Sequence, residues 1–295
     1  MKRILITGAD SYIGTSFEKW LKKYPDEYSV NTIDLRDSIW KEKTFKNYDV
    51  VFHVAGIAHV DIKKTSDETK SLYYKVNRDL AIEAAKKARS DGVRQFVFMS
   101  SIIIYGDSSY MNKKKIINMK TLPQPSNFYG SSKLQGEEGI RLLECDDFNV
   151  AILRPPMIYG KNSKGNYPKI SKIAQKIPLF PDVDNERSML HIDNLCEFIR
   201  VIINQNKRGL FFPQNSEYVK TSEMVKCIAA VHGKKIKLTK IFNGLLSLLA
   251  FKVEVINKVF GNLVYERSMS EFEEDYQVRP FIESIEQTEL RVEYE

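Results

Sequence analysis

Near the amino terminus a short apolar run, Ile4-Leu5-Ile6-Thr7, stops at Gly8 and gives way to Ala9-Asp10-Ser11-Tyr12-Ile13-Gly14. A run that is apolar throughout, without alternation, suits a strand buried on both faces, which predicts a parallel sheet. Phe17, Trp20 and Leu21 then recur at helical spacing, so a helix follows the glycine turn. Strand, tight turn and helix in that order bring backbone N–H groups and the positive end of a helix to one place, where a pyrophosphate would sit. The spacing is G-x-x-x-x-x-G, with the small Ser11 where a middle glycine is common, and Tyr12 and Ile13 within the junction are further cofactor-binding candidates. Asp34 ends the next apolar run, Val30-Asn31-Thr32-Ile33, twenty residues after Gly14, where a carboxylate can accept from a ribose hydroxyl. That carboxylate favours NAD, and Arg36 beside it leaves NADP open. Taken alone, Asp34 would be read as an ordinary turn acid.

The alternation continues. Tyr48-Asp49-Val50-Val51-Phe52-His53-Val54-Ala55-Gly56 reads as a strand ending in small residues, Leu72 to Ala88 has helical periodicity, and Val93 to Met99 reads as a further buried strand. Alternating strands and helices predict an α/β fold with a doubly wound, Rossmann-like parallel sheet, whose ligands bind beyond the carboxyl ends of the strands. Gly8, Ala55-Gly56 and Ser101 all fall at such ends. Tyr129 and Lys133 lie four apart in Tyr129-Gly130-Ser131-Ser132-Lys133, which places them a turn apart on one face of a helix led by Asn127-Phe128. A phenol titrates near 10, and a fixed positive charge beside it lowers that value, so Lys133 is expected to activate Tyr129. A hydroxyl such as Ser101 would hold a carbonyl oxygen beside the phenol. By itself a Tyr and a Lys four apart describe a solvated helix face; the accompanying motifs make the case.

In their order and spacing these pieces resemble the extended short-chain dehydrogenase/reductase family, the group of nucleotide-sugar epimerases, dehydratases and 4-ketoreductases. The match runs over about residues 1–200, through Thr7-Gly8 to Gly14, Asp34, His53 to Gly56, Asn77, Ser100-Ser101 to Tyr105-Gly106, Tyr129 with Lys133, and Leu153 to Gly160. The resemblance implies that Tyr129 is the acid/base, that Lys133 binds the nicotinamide ribose, and that Ser101, with Ser100 as the alternative, holds the substrate oxygen. It also implies that Asn77 supports the cofactor pocket and that Pro156, after Pro155, lines its nicotinamide side. A dinucleotide-binding domain is expected mainly over 1–160 and a smaller substrate-binding lobe mainly over 161–295, with some later segments returning to the main sheet. A homodimer through helices near Leu72–Ala88 and Tyr129–Glu144 is also implied.

Departures from the family pattern narrow the chemistry. Sugar dehydratases of this family carry an Asp-Glu pair directly after the catalytic Thr. Here Ile102-Ile103 follow Ser101, and isoleucine transfers no proton, which argues against dehydration. Many members also have an Asn where Met157 stands, which leaves the usual diphosphate anchor in doubt. The stretches Lys161 to Tyr167 and Asn185 to Leu195 are similar to 4-ketoreductases and epimerases of bacterial surface-polysaccharide clusters. In that company Arg187 would pair with the substrate diphosphate, as a guanidinium fork suits. Lys164 and Arg267 are further candidates for that duty.

Composition limits the remaining options. The chain has 295 residues and a net charge of +7, an excess suited to nucleic acid, a membrane surface or an anionic substrate. Its lysine runs, Lys86-Lys87 and Lys113-Lys114-Lys115, lack interleaved aromatics, so nucleic acid is set aside. Cys145, Cys196 and Cys227 are widely spaced and odd in number, which suits free thiols in a reducing cytoplasm and no metal site. His53, in an apolar strand, is expected to be a hydrogen-bonded core residue rather than a metal ligand with His59. Met1-Lys2-Arg3 followed by Ile4-Leu5-Ile6 is too short for an export signal core. Ile241 to Phe260 is apolar at helical spacing but interrupted by charges, too broken to cross a membrane. Its helices are expected to pack over the substrate cleft, with peripheral membrane contact as the alternative.

The function expected on this reading is reduction by NAD(P)H at C4 of a nucleotide-linked, UDP-type 4-keto sugar. The alternative is a 4-epimerase using the same residues with a retained NAD. A binding or sensor protein on a dinucleotide fold is a third class, and the presence of Ser101, Tyr129 and Lys133 together counts against it.

Overall fold

The structure is a computed structural model that describes residues 1–58, 66–111 and 113–290. His59 and residues 291–295 lie outside the described residues. The chain divides into two units: the first holds residues 1–106, 122–155 and 195–213, the second 107–121, 156–194 and 214–295.

The first unit is built on six strands: β1 (Lys2–Thr7), β2 (Tyr28–Ile33), β3 (Val50–His53), β4 (Gln95–Met99), β5 (Asn149–Leu153) and β6 (Gly209–Phe211). Every pairing is parallel, and the spatial order is β2-β1-β3-β4-β5-β6. This is the expected doubly wound sheet, with β6 supplied by a late segment. The order reverses beside β1, so a crevice opens beyond the carboxyl ends of β1 and β3, the position where such sheets bind ligands. Ile4, Val51, Phe96, Phe98 and Ile152 along these strands are almost wholly buried. Burying each such side chain is worth about 1.5–3 kcal/mol, which is why continuous apolar runs settle at the middle of the sheet.

The helices of this unit carry the site. Helix α1 (Tyr12–Leu21) follows the glycine turn. The periodic segment after β3 forms α2 (Asp67–Tyr74) and α3 (Ala81–Ser90), joined by one π-helical turn, Lys75–Leu80. That turn adds a residue to the helical repeat and contains the fully buried Asn77. The small Ala81, Ala84, Ala85 and Ala88 let α3 lie close against its neighbours. Helix α4 (Phe128–Arg141) approaches the same segment so nearly that a Cβ at Gly136 would stand 2.5 Å from the Asn77 carbonyl oxygen.

Two turns of α4 beyond Tyr129, Glu137 forms a buried ion pair with Arg154 at 2.5 Å, and Arg154 also donates to the Tyr105 hydroxyl at 2.7 Å. The pair ties α4 to the end of β5 and to the turn after β4.

The second unit has its own core, with Tyr159, Met189, Met224, Val225 and Ile228 at its centre. Its strands are short and paired in twos, such as Met157–Tyr159 with Met189–His191. Among the described residues no helix is long and apolar enough to cross a membrane.

Glu137→Ala leaves a guanidinium buried without its counter-charge and is expected to destabilise the protein by about 3–5 kcal/mol in urea unfolding. A loss below about 1 kcal/mol, the range of a surface pair, would show that this ion pair does not hold α4 in place.

Candidate active site

Helix α4 starts where the sequence predicts. Asn127 is extended and its side chain accepts from Gly130 N at 3.0 Å, capping the helix and setting Tyr129 and Lys133 on consecutive turns. The Tyr129 ring packs edge-on to Tyr73 with centroids 5.9 Å apart. Ser101, just past β4, caps the short 3-10 turn Ile102–Tyr105, accepting from Ile103 N at 3.3 Å, and its hydroxyl is also hydrogen-bonded to the Tyr129 phenol. The Ser100 hydroxyl is buried and has no hydrogen-bond partner. Of the two serines, then, the one facing the phenol is Ser101.

Lys133 is buried, donates to the Met99 carbonyl at 2.9 Å, and lies 5.0 Å above the Phe98 ring. Asn77 holds the chain beyond β3 from the other side. Its Oδ1 accepts from Ile57 N at 2.9 Å, and its Nδ2 donates to Ile57 O at 3.1 Å and to Ser132 Oγ at 3.2 Å. The close contact at Gly136 is what lets Asn77 reach Ser132 on α4.

The electrostatics differ from the expectation in one respect. Burial pushes the Tyr129 phenol up to about 12, against the opposing effect of the Ser101 hydrogen bond. Lys133 is not among the groups that lower the phenol, and its own ammonium is held down to about 8 by burial, with Glu137 acting in the opposite direction. The phenol is therefore protonated at neutral pH. His53 is only half satisfied. Its Nδ1 is 2.9 Å from Thr7 Oγ1, its Nε2 has no partner, and burial, with the Lys133 charge, holds it down to about 3. Among the described residues no group of three His, Cys, Asp or Glu side chains is placed to hold a metal, and all three cysteines are free thiols.

The turn after β1 fits a dinucleotide. Gly8 has φ +93°, and a Cβ there would stand 2.9 Å from Ala55 N. A Cβ on Gly56 would stand 3.0 Å from Lys133 Nζ and 3.1 Å from Asn77 Oδ1. Side chains at these places would fill the crevice. Ser11, which replaces a glycine in the motif, caps α1 by accepting from Gly14 N at 3.0 Å. First-turn N–H groups such as those of Tyr12 and Ile13 have no partner within a helix and so suit an anion. Asp34 and Arg36 are joined: Arg36 Nε donates to Asp34 Oδ2 at 2.6 Å and its Nη2 reaches Asp10 at 2.8 Å. Arg36 holds Asp34 below the usual carboxylate range.

The remaining candidates belong to the second unit. Pro156 directly precedes the strand Met157–Tyr159, where Met157 is half-buried. Arg187 exchanges backbone hydrogen bonds with Val219, and its guanidinium donates to the Lys258 carbonyl at 2.7 Å. Among the described residues it has no acidic partner, and burial lowers it to about 10. Arg267 stacks 4.9 Å from the ring of Tyr218, beside Val219, so the two arginines flank one short segment. Lys164 is simply exposed on the loop after Gly160.

Asn77 and Gly56 form a supporting shell that the motifs had indicated. The Glu137–Arg154–Tyr105 contact was not read from the sequence, although Arg154 and Tyr105 lay within quoted motifs. A pH signature follows from Lys133. Between about 8 and its usual 10.5 the unfolded chain carries one more proton than the folded one, so stability should rise with pH across that window. Lys133→Met should remove this contribution from urea-unfolding free energies; the same slope in both proteins would contradict it.

Comparison with known proteins agrees with this geometry. Residues 4–211 match the family model of the NAD dependent epimerase/dehydratase family. UDP-glucose 4-epimerase of Vibrio cholerae is 30% identical over 249 residues, covering 77% of this chain and 75% of that protein. N-acetyl-alpha-D-glucosaminyl-diphospho-ditrans,octacis-undecaprenol 4-epimerase of Escherichia coli O157:H7 is 27% identical over 216 residues, 67% of this chain and 62% of that one. A crystal structure of a dTDP-4-dehydrorhamnose reductase from Clostridium acetobutylicum has the same fold, with a TM-score of 0.73 at 20% identity over 97% of this chain and 98% of that one. The chain belongs to the NAD-dependent epimerase/dehydratase family, enzymes of the extended short-chain dehydrogenase/reductase type.

Proposed function

We propose that the protein is a nucleotide-sugar 4-ketoreductase, reducing C4 of a UDP-linked 4-keto-6-deoxy-hexosamine for surface polysaccharide. The observation that supports the reading is the gathering of Ser101, Tyr129 and Lys133 beyond the carboxyl end of β4, with Ile102 and Ile103 standing where a second acid/base pair would be needed for dehydration. Reduction of a ketone calls for a proton donor at the oxygen, whereas oxidation calls first for a base. Bound NAD(P)H supplies the hydride. Ser101 holds the C4 oxygen, Tyr129 gives it a proton, and Lys133 orders the nicotinamide ribose while steadying the Met99 carbonyl. Gly8, Ser11, Tyr12, Ile13, Gly14, Ala55 and Gly56 would line the dinucleotide, and Pro156 keeps the nicotinamide-side role that the family resemblance implies for it. Asp34 and Asp10 together outweigh Arg36 in charge, which supports a free ribose hydroxyl and NAD over NADP. Arg187, half-buried and among the described residues without an acidic partner, suits the substrate diphosphate, with Arg267 beside it and Lys164 as a weaker candidate.

A 4-epimerase is the second reading, favoured by the two epimerases among its relatives. It would use the same three residues in both directions with a cofactor that stays bound. The three free thiols support a reducing, cytoplasmic compartment. Pairing of two copies through the helices near Leu72–Ala88 and Tyr129–Glu144 should give a dimer mass on gel filtration, and a monomer would contradict that assembly.

Tyr129→Phe should lower turnover by about 10²–10⁴-fold and leave NAD(H) affinity nearly unchanged. Unchanged turnover would sink the mechanism. The cofactor released from denatured, unsupplemented protein separates the two readings: a trace indicates the reductase, near-stoichiometric NAD the epimerase.

A further inference from the structure

The segment expected to pack over a cleft, Ile241 to Phe260, folds as two short helices, Asn243–Leu249 and Glu254–Phe260, with two apolar faces. One face is accounted for: Leu246, Ala250, Ile256, Val259 and Phe260 join the core of the second unit. The other is not. Ile241, Leu245, Leu248, Phe251 and Val255 are 86%, 58%, 69%, 72% and 64% exposed. Leu245 and Leu248 are three residues apart and share one side of the first helix, and Ile241 stands exposed in the turn just before it. Phe251 continues the ridge and stacks on the half-exposed Tyr110 with ring centroids 5.7 Å apart. Scattered apolar residues on a surface need no explanation, but a contiguous ridge of this kind marks a docking surface.

The charges around the ridge identify its partner. Lys240 just before the segment and Lys252 and Lys258 within it are exposed, and residues 234–260 contain a single acid, Glu254, against six lysines. A second basic run is attached to the same place. Asn257 accepts from Met111 N at 3.1 Å and Asn262 donates to Lys113 O at 3.0 Å, so the loop bearing Lys113, Lys114 and Lys115 is fastened to the end of the second helix. Leu and Phe on a ridge, an aromatic beside it and lysines around it are the features of a surface that lies in a lipid headgroup layer. A second copy of this chain suits it poorly, because a two-fold contact would set the lysine rim against itself.

We propose that this ridge docks the protein on an anionic lipid bilayer, with the apolar side chains entering the headgroup region and the lysines pairing with lipid phosphates. The attachment is peripheral. It weakens with salt, as surface charge pairing does.

The test is flotation of the full-length protein with vesicles of phosphatidylcholine alone or of phosphatidylcholine with phosphatidylglycerol. The wild type should float with the phosphatidylglycerol vesicles at low salt and be released at high salt. The double variant Leu248→Glu, Phe251→Glu should reduce the bound fraction at least about tenfold, since two large apolar side chains no longer enter the lipid, with turnover and thermal midpoint unchanged. The proposal is overturned if the wild type floats with neither vesicle, or if the double variant floats as well as the wild type. It is equally overturned if the wild type never floats while the double variant alters the gel-filtration mass, for the ridge would then join copies of the chain.

Discussion

Helix α4 is held in a place that a side chain at one position would deny it. Gly136 lets its backbone approach the Asn77 carbonyl, and one turn of buried polar chemistry, Glu137 on Arg154 and Arg154 on Tyr105, fastens it to the end of β5. Everything proposed for catalysis depends on that seating. Tyr129 meets Ser101, and Lys133 reaches the Met99 carbonyl, because α4 runs past the carboxyl ends of the strands at this distance and in this register. A buried ion pair contributes little net stability compared with a well-packed apolar substitute. Its value here is positional.

Parts of this arrangement are local and were legible in the sequence. Ile4 to Thr7 and Val93 to Met99 announce buried strands by being apolar without interruption, and the Gly8 turn, the Asn127 cap and the Tyr129–Lys133 step are readable within a few residues. The order of the motifs then identified the family. What stayed hidden depends on contacts far apart along the chain. Glu137 and Arg154 are seventeen residues apart and look like two ordinary surface charges until the fold buries them. The π turn around Asn77 leaves no mark in hydrophobic periodicity. The raised pKa of Tyr129 follows from enclosure, which a spacing of four residues does not report. Ile241 to Phe260 shows the same limit differently: periodicity revealed apolar helices but could not tell a face turned to the core from one turned outward.

The buried lysine and the protonated phenol bear on direction. A phenol held high gives up its proton to a strong base such as the alkoxide formed when a ketone accepts hydride, which is the step that the proposed reduction requires. Ile102 and Ile103, placed directly after Ser101, leave no group there to take a second proton from the sugar. On the proposed reading the chemistry is confined to one carbon and its oxygen.

The central claim is that hydride passes between the nicotinamide and C4 of a sugar at Tyr129. The most direct measurement uses NADH deuterated at the transferable position with a UDP-4-keto-6-deoxy-hexosamine, reading the product by mass spectrometry and NMR. The account predicts NADH consumption with one deuterium at C4. Turnover of the sugar without label, or no turnover of any 4-keto sugar, would contradict it.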